Sequence, residues 1–197
     1  MPLDDRLGRR ISDPGALRAL AHAGRYAILD RLQSLGPATA TECAEVAGLS
    51  PSACSYHLRL LARHGFVEPD DDPSRERDGR ERVWRATSTG WQSDPDLAAD
   101  PREAQAIDST IARVMMASSD AKVLAFVDQA GSDRTWRDAA LLSNSTIVAT
   151  ADELSAICDG LMDVLRPYFV SERAEDDVPA GARPVHVAIR TAPRPAR

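Results

Sequence analysis

The chain has 197 residues, of which 43% are hydrophobic and only 5% aromatic, and its formal net charge is −6. That composition excludes a disordered chain and allows one large or two small globular domains, with a core built mainly from leucine, valine, isoleucine and alanine. No apolar run approaches the ~20 residues that cross a bilayer, and the opening MPLDDRLGRR has no apolar stretch behind its basic residues. Cys43, Cys54 and Cys158 form no C-x-x-C pair, which argues for buried thiols rather than a disulfide framework or a thiolate metal site. The expectation is a soluble cytoplasmic protein without metal or other cofactor. The charge is uneven: residues 1–90 hold thirteen arginines and thirteen acids, whereas residues 91–197 hold eleven basic residues and seventeen acids. A neutral first half can still present a locally basic face, so the acidity does not exclude a nucleic-acid partner.

Residues 1–11 read as a flexible arm. Ser12 and Asp13 before Pro14 form a helix start, with Leu17, Leu20 and Ala21 as its apolar face. A second helix over 24–35 places Ile28, Leu32 and Leu35 on one side and stops at Gly36–Pro37. Thr39 stands three residues before Glu42, a capping-box spacing that opens a short helix ending at Gly48. Ser50 and Pro51 then begin a longer helix that runs to His64 and Gly65. Short helix, tight glycine turn, longer helix: the order is that of a helix-turn-helix.

In the longer helix Cys54, Leu58 and Leu61 form the core-facing stripe. Ser52, Ala53, Ser55, Tyr56, Arg59 and Arg63 are the candidate DNA-reading residues, because short polar side chains near a helix N-terminus permit close approach to base edges and arginines can follow. An ordinary solvated face is the competing reading of the same residues. Beyond Gly65 the pattern is strand over 66–68, a polar loop, and strand over 82–87, a β-hairpin wing. Arg75, Arg77, Arg80, Arg82 and Arg85 gather at or beside its tip, where cations can reach phosphates or a minor groove; interleaved acids leave a plain exposed hairpin as the alternative.

The segments AHAGRYAILDRL, LSPSACSYHLRLLARHGFVE and RERVWRAT together resemble the winged helix-turn-helix of ArsR-type bacterial transcriptional regulators, over residues 12–90. The resemblance implies a homodimer whose recognition helices enter successive major grooves of an operator, and often a repressor released by an effector. It maps Ser52, Ser55, Tyr56 and Arg59 onto DNA-facing positions and His57 onto a histidine that supports the fold. One departure matters: where arsenic-sensing members carry a cysteine cluster, this chain has TATECAE with Cys43 alone, and one thiolate cannot make a trigonal site.

TGWQSDPDLAADP connects the two halves, and Pro101 opens a long helix to about Gln129. Its apolar stripe of Ile107, Ile111, Val114 and Met115 falls out of register with Leu124 and Val127, so the helix either kinks near ASSD or offers its two ends to different partners. AALLSNSTIVAT over 139–150 has strand composition, Thr150 and Glu153 repeat the capping-box spacing before a helix, and VHVAIR over 185–190 alternates like a one-sided strand. The predicted fold class is mainly α with a small β component: a winged helix-turn-helix over 12–90, then a helix-strand-helix-strand unit over 101–191 and a mobile tail at 192–197. That second unit is similar to a C-terminal extension of some ArsR-type regulators, which implies dimerisation and effector binding. Two strands are weak alone, and helices from a partner subunit would help to cover them.

The sequence reading is therefore a homodimeric, sequence-specific regulator of double-stranded DNA, a repressor with no chemistry of its own. Ile111, Met115, Leu124, Leu161 and Met162 are candidates to line a pocket for an apolar small-molecule effector, although methionines at helical spacing also serve as core or interface filler. A hydrolase built on Ser145, His186 and Asp152 lacks any nucleophile motif. A winged helix used for protein binding is the remaining alternative.

Overall fold

The computed structural model describes residues 9–71, 81–88, 90–93, 100–129, 133–170, 173 and 177–194. Helix α1 (Pro14–Leu20) starts at Asp13, whose carboxylate accepts hydrogen bonds from the N–H groups of Gly15 and Ala16 at 3.2 and 2.9 Å. Helix α2 (Ala23–Leu35) is capped by His22, whose Nδ1 accepts from the Arg25 N–H at 3.4 Å, a cap that residue preferences do not announce. The capping box before α3 (Ala40–Ala47) is complete: Glu42 Oε2 accepts from the Thr39 N–H at 2.8 Å, and Thr39 Oγ1 accepts from the Glu42 N–H at 3.2 Å. Gly48 ends α3 at φ +63°, a left-handed conformation that a side chain would strain, and its turn leads into α4 (Pro51–Arg63). Ser50 caps α4, with its hydroxyl 3.3 Å from the Ala53 N–H.

Two small sheets brace these helices. Strands β1 (Arg9–Ile11) and β5 (Trp91–Ser93) pair in parallel, Arg9 opposite Trp91. Arg9–Ile11 therefore do not belong to a flexible arm, because β5 supplies a ladder partner that local periodicity could not foresee. The second sheet has the order β2-β4-β3, with β2 (Ala38–Thr39) and β3 (Val67–Pro69) both antiparallel to β4 (Val83–Ala86). This is the wing root, with one strand more than the expected hairpin. Leu17, Leu20, Ile28, Leu29, Leu58, Leu61 and Phe66 are buried in the common core of α1, α2 and α4, each such side chain contributing about 1.5–3 kcal/mol.

Helix α5 (Pro101–Gln129) is uninterrupted, and its two ends do face different surroundings. Ala104, Ile107 and Ile111 are buried against α1 and α2, while Leu124 and Val127 stand exposed. An Arg18–Glu103 ion pair and a 2.5 Å Lys122 Nζ–Asp30 Oδ2 ion pair tie the helix to α1 and α2. Beyond it come α6 (Arg134–Ala139), α7 (Ala151–Leu165) and a 3₁₀ turn at Arg166–Tyr168. The capping box of Thr150 and Glu153 opens α7 as the spacing predicts. The mainly helical class with a small sheet component holds, but the two strands expected at 139–150 and 185–190 do not form: α6 takes up Ala139, and residues 140–149 and 182–194 carry no regular secondary structure. Their composition suits a pleated surface, yet neither is given a ladder partner within the described chain.

Candidate nucleic-acid interface

Helix α4 divides cleanly between core and solvent. Cys54, Leu58 and Leu61 are fully buried, while Ser52, Tyr56, Arg59 and Arg63 are exposed and Ala53 and Ser55 half-buried at its opposite edge. The burial pattern follows the helical period, so the stripe that packs on α2 and α3 fixes which side chains point outward. At the helix C-terminus, Gly65 adopts φ +70° and turns the chain into β3. Arg9 Nη1 donates to the carbonyls of His64 and Gly65 at 2.9 and 2.8 Å, satisfying acceptors that the helix end leaves open.

Between α4 and the wing root lies a cleft of about 390 Å³ lined by Ala40, Ser55, Arg59, Glu81, Arg82 and Trp84. It joins two of the candidate DNA-reading residues of α4 to one arginine of the wing. Thr41 Oγ1 donates to Glu81 at 2.6 Å and anchors the wing strand to α3, and the Arg82 guanidinium lies 5.7 Å from the Trp84 ring centroid. Arg85 is engaged elsewhere: it ion-pairs with Glu68, its opposite residue in the β3–β4 register. The phosphate role expected for Arg85 is thus opposed by a bound carboxylate. Arg75, Arg77 and Arg80 lie outside the described residues.

Behind α4, the His57 and His22 rings meet at a centroid distance of 4.9 Å, with Tyr56 5.5 Å from His57 on the other side. Arg25 closes this cluster and donates to the carbonyls of Ala19 and Arg18. Burial, then the charges of His22 and Arg25, lower the His57 pKa, and burial with Arg25 lowers that of His22. Both imidazoles are therefore held toward the neutral form that such a crowded cationic site favours. Through its ring contact with His22, His57 packs α4 against the start of α2. Cys43 and Cys54, which the sequence leaves unconnected, are both buried on neighbouring helices, and the adjacent Cys43 thiol, then burial, push the Cys54 thiol up. Helix contact, which spacing alone does not report, brings them together.

A family model described as a helix-turn-helix domain matches residues 20–70. Over 69 residues the chain is 38% identical to the HTH-type transcriptional regulator NmtR of Mycobacterium tuberculosis, a match that takes in 35% of this chain and 55% of that protein. The first half of this chain carries a helix-turn-helix domain similar to that of an HTH-type transcriptional regulator. The crystal structure of the PcaV transcriptional regulator from Streptomyces coelicolor in complex with its natural ligand has a TM-score of 0.30 and 22% identity, over 71% of each chain; a likeness that loose supports no argument. The residues matched by the family model run from α2 to β3, α5 packs against α1 and α2, and the chain spans about half the length of the NmtR regulator.

The candidate effector residues are not gathered by this architecture. Ile111 is 1% exposed inside the core of the winged helix-turn-helix and helps to build it, so it is not free to line a pocket with the others. Met115, Leu124 and Leu161 are 40–60% exposed, and Met162 is half-buried. His186 is hydrogen-bonded to Ser119 at 2.8 Å, on α5, rather than to Ser145. Among the described residues, no helix is long and apolar enough to cross a membrane.

Proposed function

We propose that the protein is a sequence-specific DNA-binding transcriptional regulator, a homodimeric repressor that acts in the cytoplasm, performs no chemistry of its own and leaves its operator when an apolar organic effector binds to the second half. The observation that carries the DNA-binding reading is the cleft in which Ser55 and Arg59 of α4 stand beside Arg82 of the wing root. Two elements from different parts of the chain then offer one continuous surface, α4 to base edges in a major groove and the wing to the adjoining backbone. Ser52, Ala53, Tyr56 and Arg63 extend the surface along α4. In a twofold dimer, two such surfaces would meet half-sites about one helical turn apart. Met115, Leu124, Leu161 and Met162 remain the effector candidates, and release requires that the effector favour a dimer whose two α4 helices no longer match successive grooves.

The test is selection of bound fragments from genomic DNA by the purified full chain, followed by fluorescence anisotropy on the selected duplex at increasing salt. Several phosphate contacts predict a steep loss, on the order of 10³-fold between 50 and 200 mM salt for about six contacts. Failure to enrich any sequence, or binding indifferent to salt, would sink the reading in favour of a protein-binding winged helix.

A further inference from the structure

The second half carries a large apolar surface on two segments that have strand composition and no strand partner. Leu141 and Leu142 are 88% and 76% exposed, and Val148 is fully exposed. In the C-terminal segment the side chains alternate: His186 and Arg190 are held on α5, His186 by Ser119 at 2.8 Å and Arg190 by Asp120 at 2.7 Å. Val185, Val187 and Ile189 are consequently turned outward as one apolar row, 41–63% exposed. Arg183 packs 4.0 Å from the Trp136 ring centroid on α6 and ion-pairs with Asp133 at 3.4 Å, which fixes where the segment begins. Among the described residues, neither 141–149 nor 184–194 makes a main-chain ladder bond.

We propose that a second copy of this chain covers this surface, and that the two copies build one shared sheet in which segment 141–149 or 184–190 of one copy pairs with segment 141–149 or 184–190 of the other. This rests on the homodimer reading above and says where its seam lies. Leu141, Leu142, Ile147 and Val148 on one segment and the Val185, Val187 and Ile189 row on the other are 41–103% exposed, an apolar area comparable to the ~800 Å² per partner that a stable interface buries. A twofold arrangement presents this surface to itself, so the segments of each copy meet their own counterparts. Finally, two strands make a weak sheet, while two copies supply four, which is enough to close a ladder with one apolar face.

The test compares the full chain with its V148D/V187D variant by sedimentation equilibrium. Both sites are more than half exposed in the single chain, so the variant leaves the winged half intact, as circular dichroism and its melting curve will show. Its dimer should dissociate about 100-fold or more readily, because two carboxylates would sit unpaired in an apolar seam, while V46D, on the exposed side of α3, should dimerise normally. In the unmutated chain, amide exchange of 141–149 and 184–190 should slow as concentration rises through the dimerisation range. That measurement stands even if the variant fails to fold. A dimer indifferent to V148D/V187D, or exchange in these segments independent of concentration, overturns the shared sheet and leaves homodimerisation intact. A chain that stays monomeric at every concentration overturns both, with DNA binding judged separately by anisotropy.

Discussion

Arg59 and Arg82 border one cleft but come from different elements, and they are expected to do different work there. Arg59 projects from the third turn of α4, where a guanidinium can make a bidentate bond to a guanine edge; Arg82 sits at the wing, near the Trp84 ring, where it can meet phosphate. Arg59→Ala should cost about 1–3 kcal/mol at one base position and flatten preference there, whereas Arg82→Ala should weaken all duplexes alike and lower the salt slope by about one. Anisotropy against a panel of single-base operator variants separates the two, and identical profiles would show that α4 is turned otherwise. His57 gives a second expectation at this scale. Its folded-state pKa lies below the ordinary 6.5 because of burial, His22 and Arg25, so below about pH 6.5 the unfolded chain binds more protons than the folded one. Stability from this group is full above that pH and falls as the pH drops toward the depressed value. His57→Gln, which stays neutral, should flatten the decline in urea midpoint between pH 7.5 and 5.5; an unchanged slope would assign the titration to other groups.

Among the elements, α3 and α7 begin with the same device in different surroundings. Thr39 is 4% exposed and joins β2 to α3, whereas Thr150 opens α7 at the surface. Thr39→Ala should cost about 1–2 kcal/mol by urea unfolding, near the upper end for a lost cap, and Thr150→Ala about 0.5. Equal losses would mean that burial adds nothing to the cap at Thr39. Both boxes were legible from Thr-x-x-Glu because each bond is local, and so was the buried stripe of Cys54, Leu58 and Leu61, which follows from helical period alone. What was not legible is everything that needs a distant partner. WQS at 91–93 is a strand only because RRI at 9–11 lies beside it, and VHVAIR has strand alternation without a ladder because its own chain offers none. Arg85 looked like one more wing cation until the register placed Glu68 opposite it.

At the scale of the whole molecule, α5 is the element that joins the two halves. The connection at 89–101 reads as a boundary in composition, yet Ala104, Ile107 and Ile111 complete the core that α1 and α2 begin, and Lys122 reaches back to Asp30. The far end of the same helix holds the C-terminal segment through Ser119 and Asp120. A single uninterrupted helix therefore touches both the winged core and the surface proposed to pair with a second copy. This placement distinguishes Ile111 from the other apolar residues of α5. Ile111→Ala removes a side chain that is 1% exposed and leaves a cavity beside the winged core, and should destabilise the protein by about 2–5 kcal/mol. Leu124→Ala, at 60% exposure, should stay within about 0.5 kcal/mol as long as the chain is monomeric. Urea unfolding at low protein concentration, followed by the far-ultraviolet helix signal, measures both. A loss at Ile111 no greater than that at Leu124 would mean that α5 is an appendage to the winged helix-turn-helix rather than part of its core.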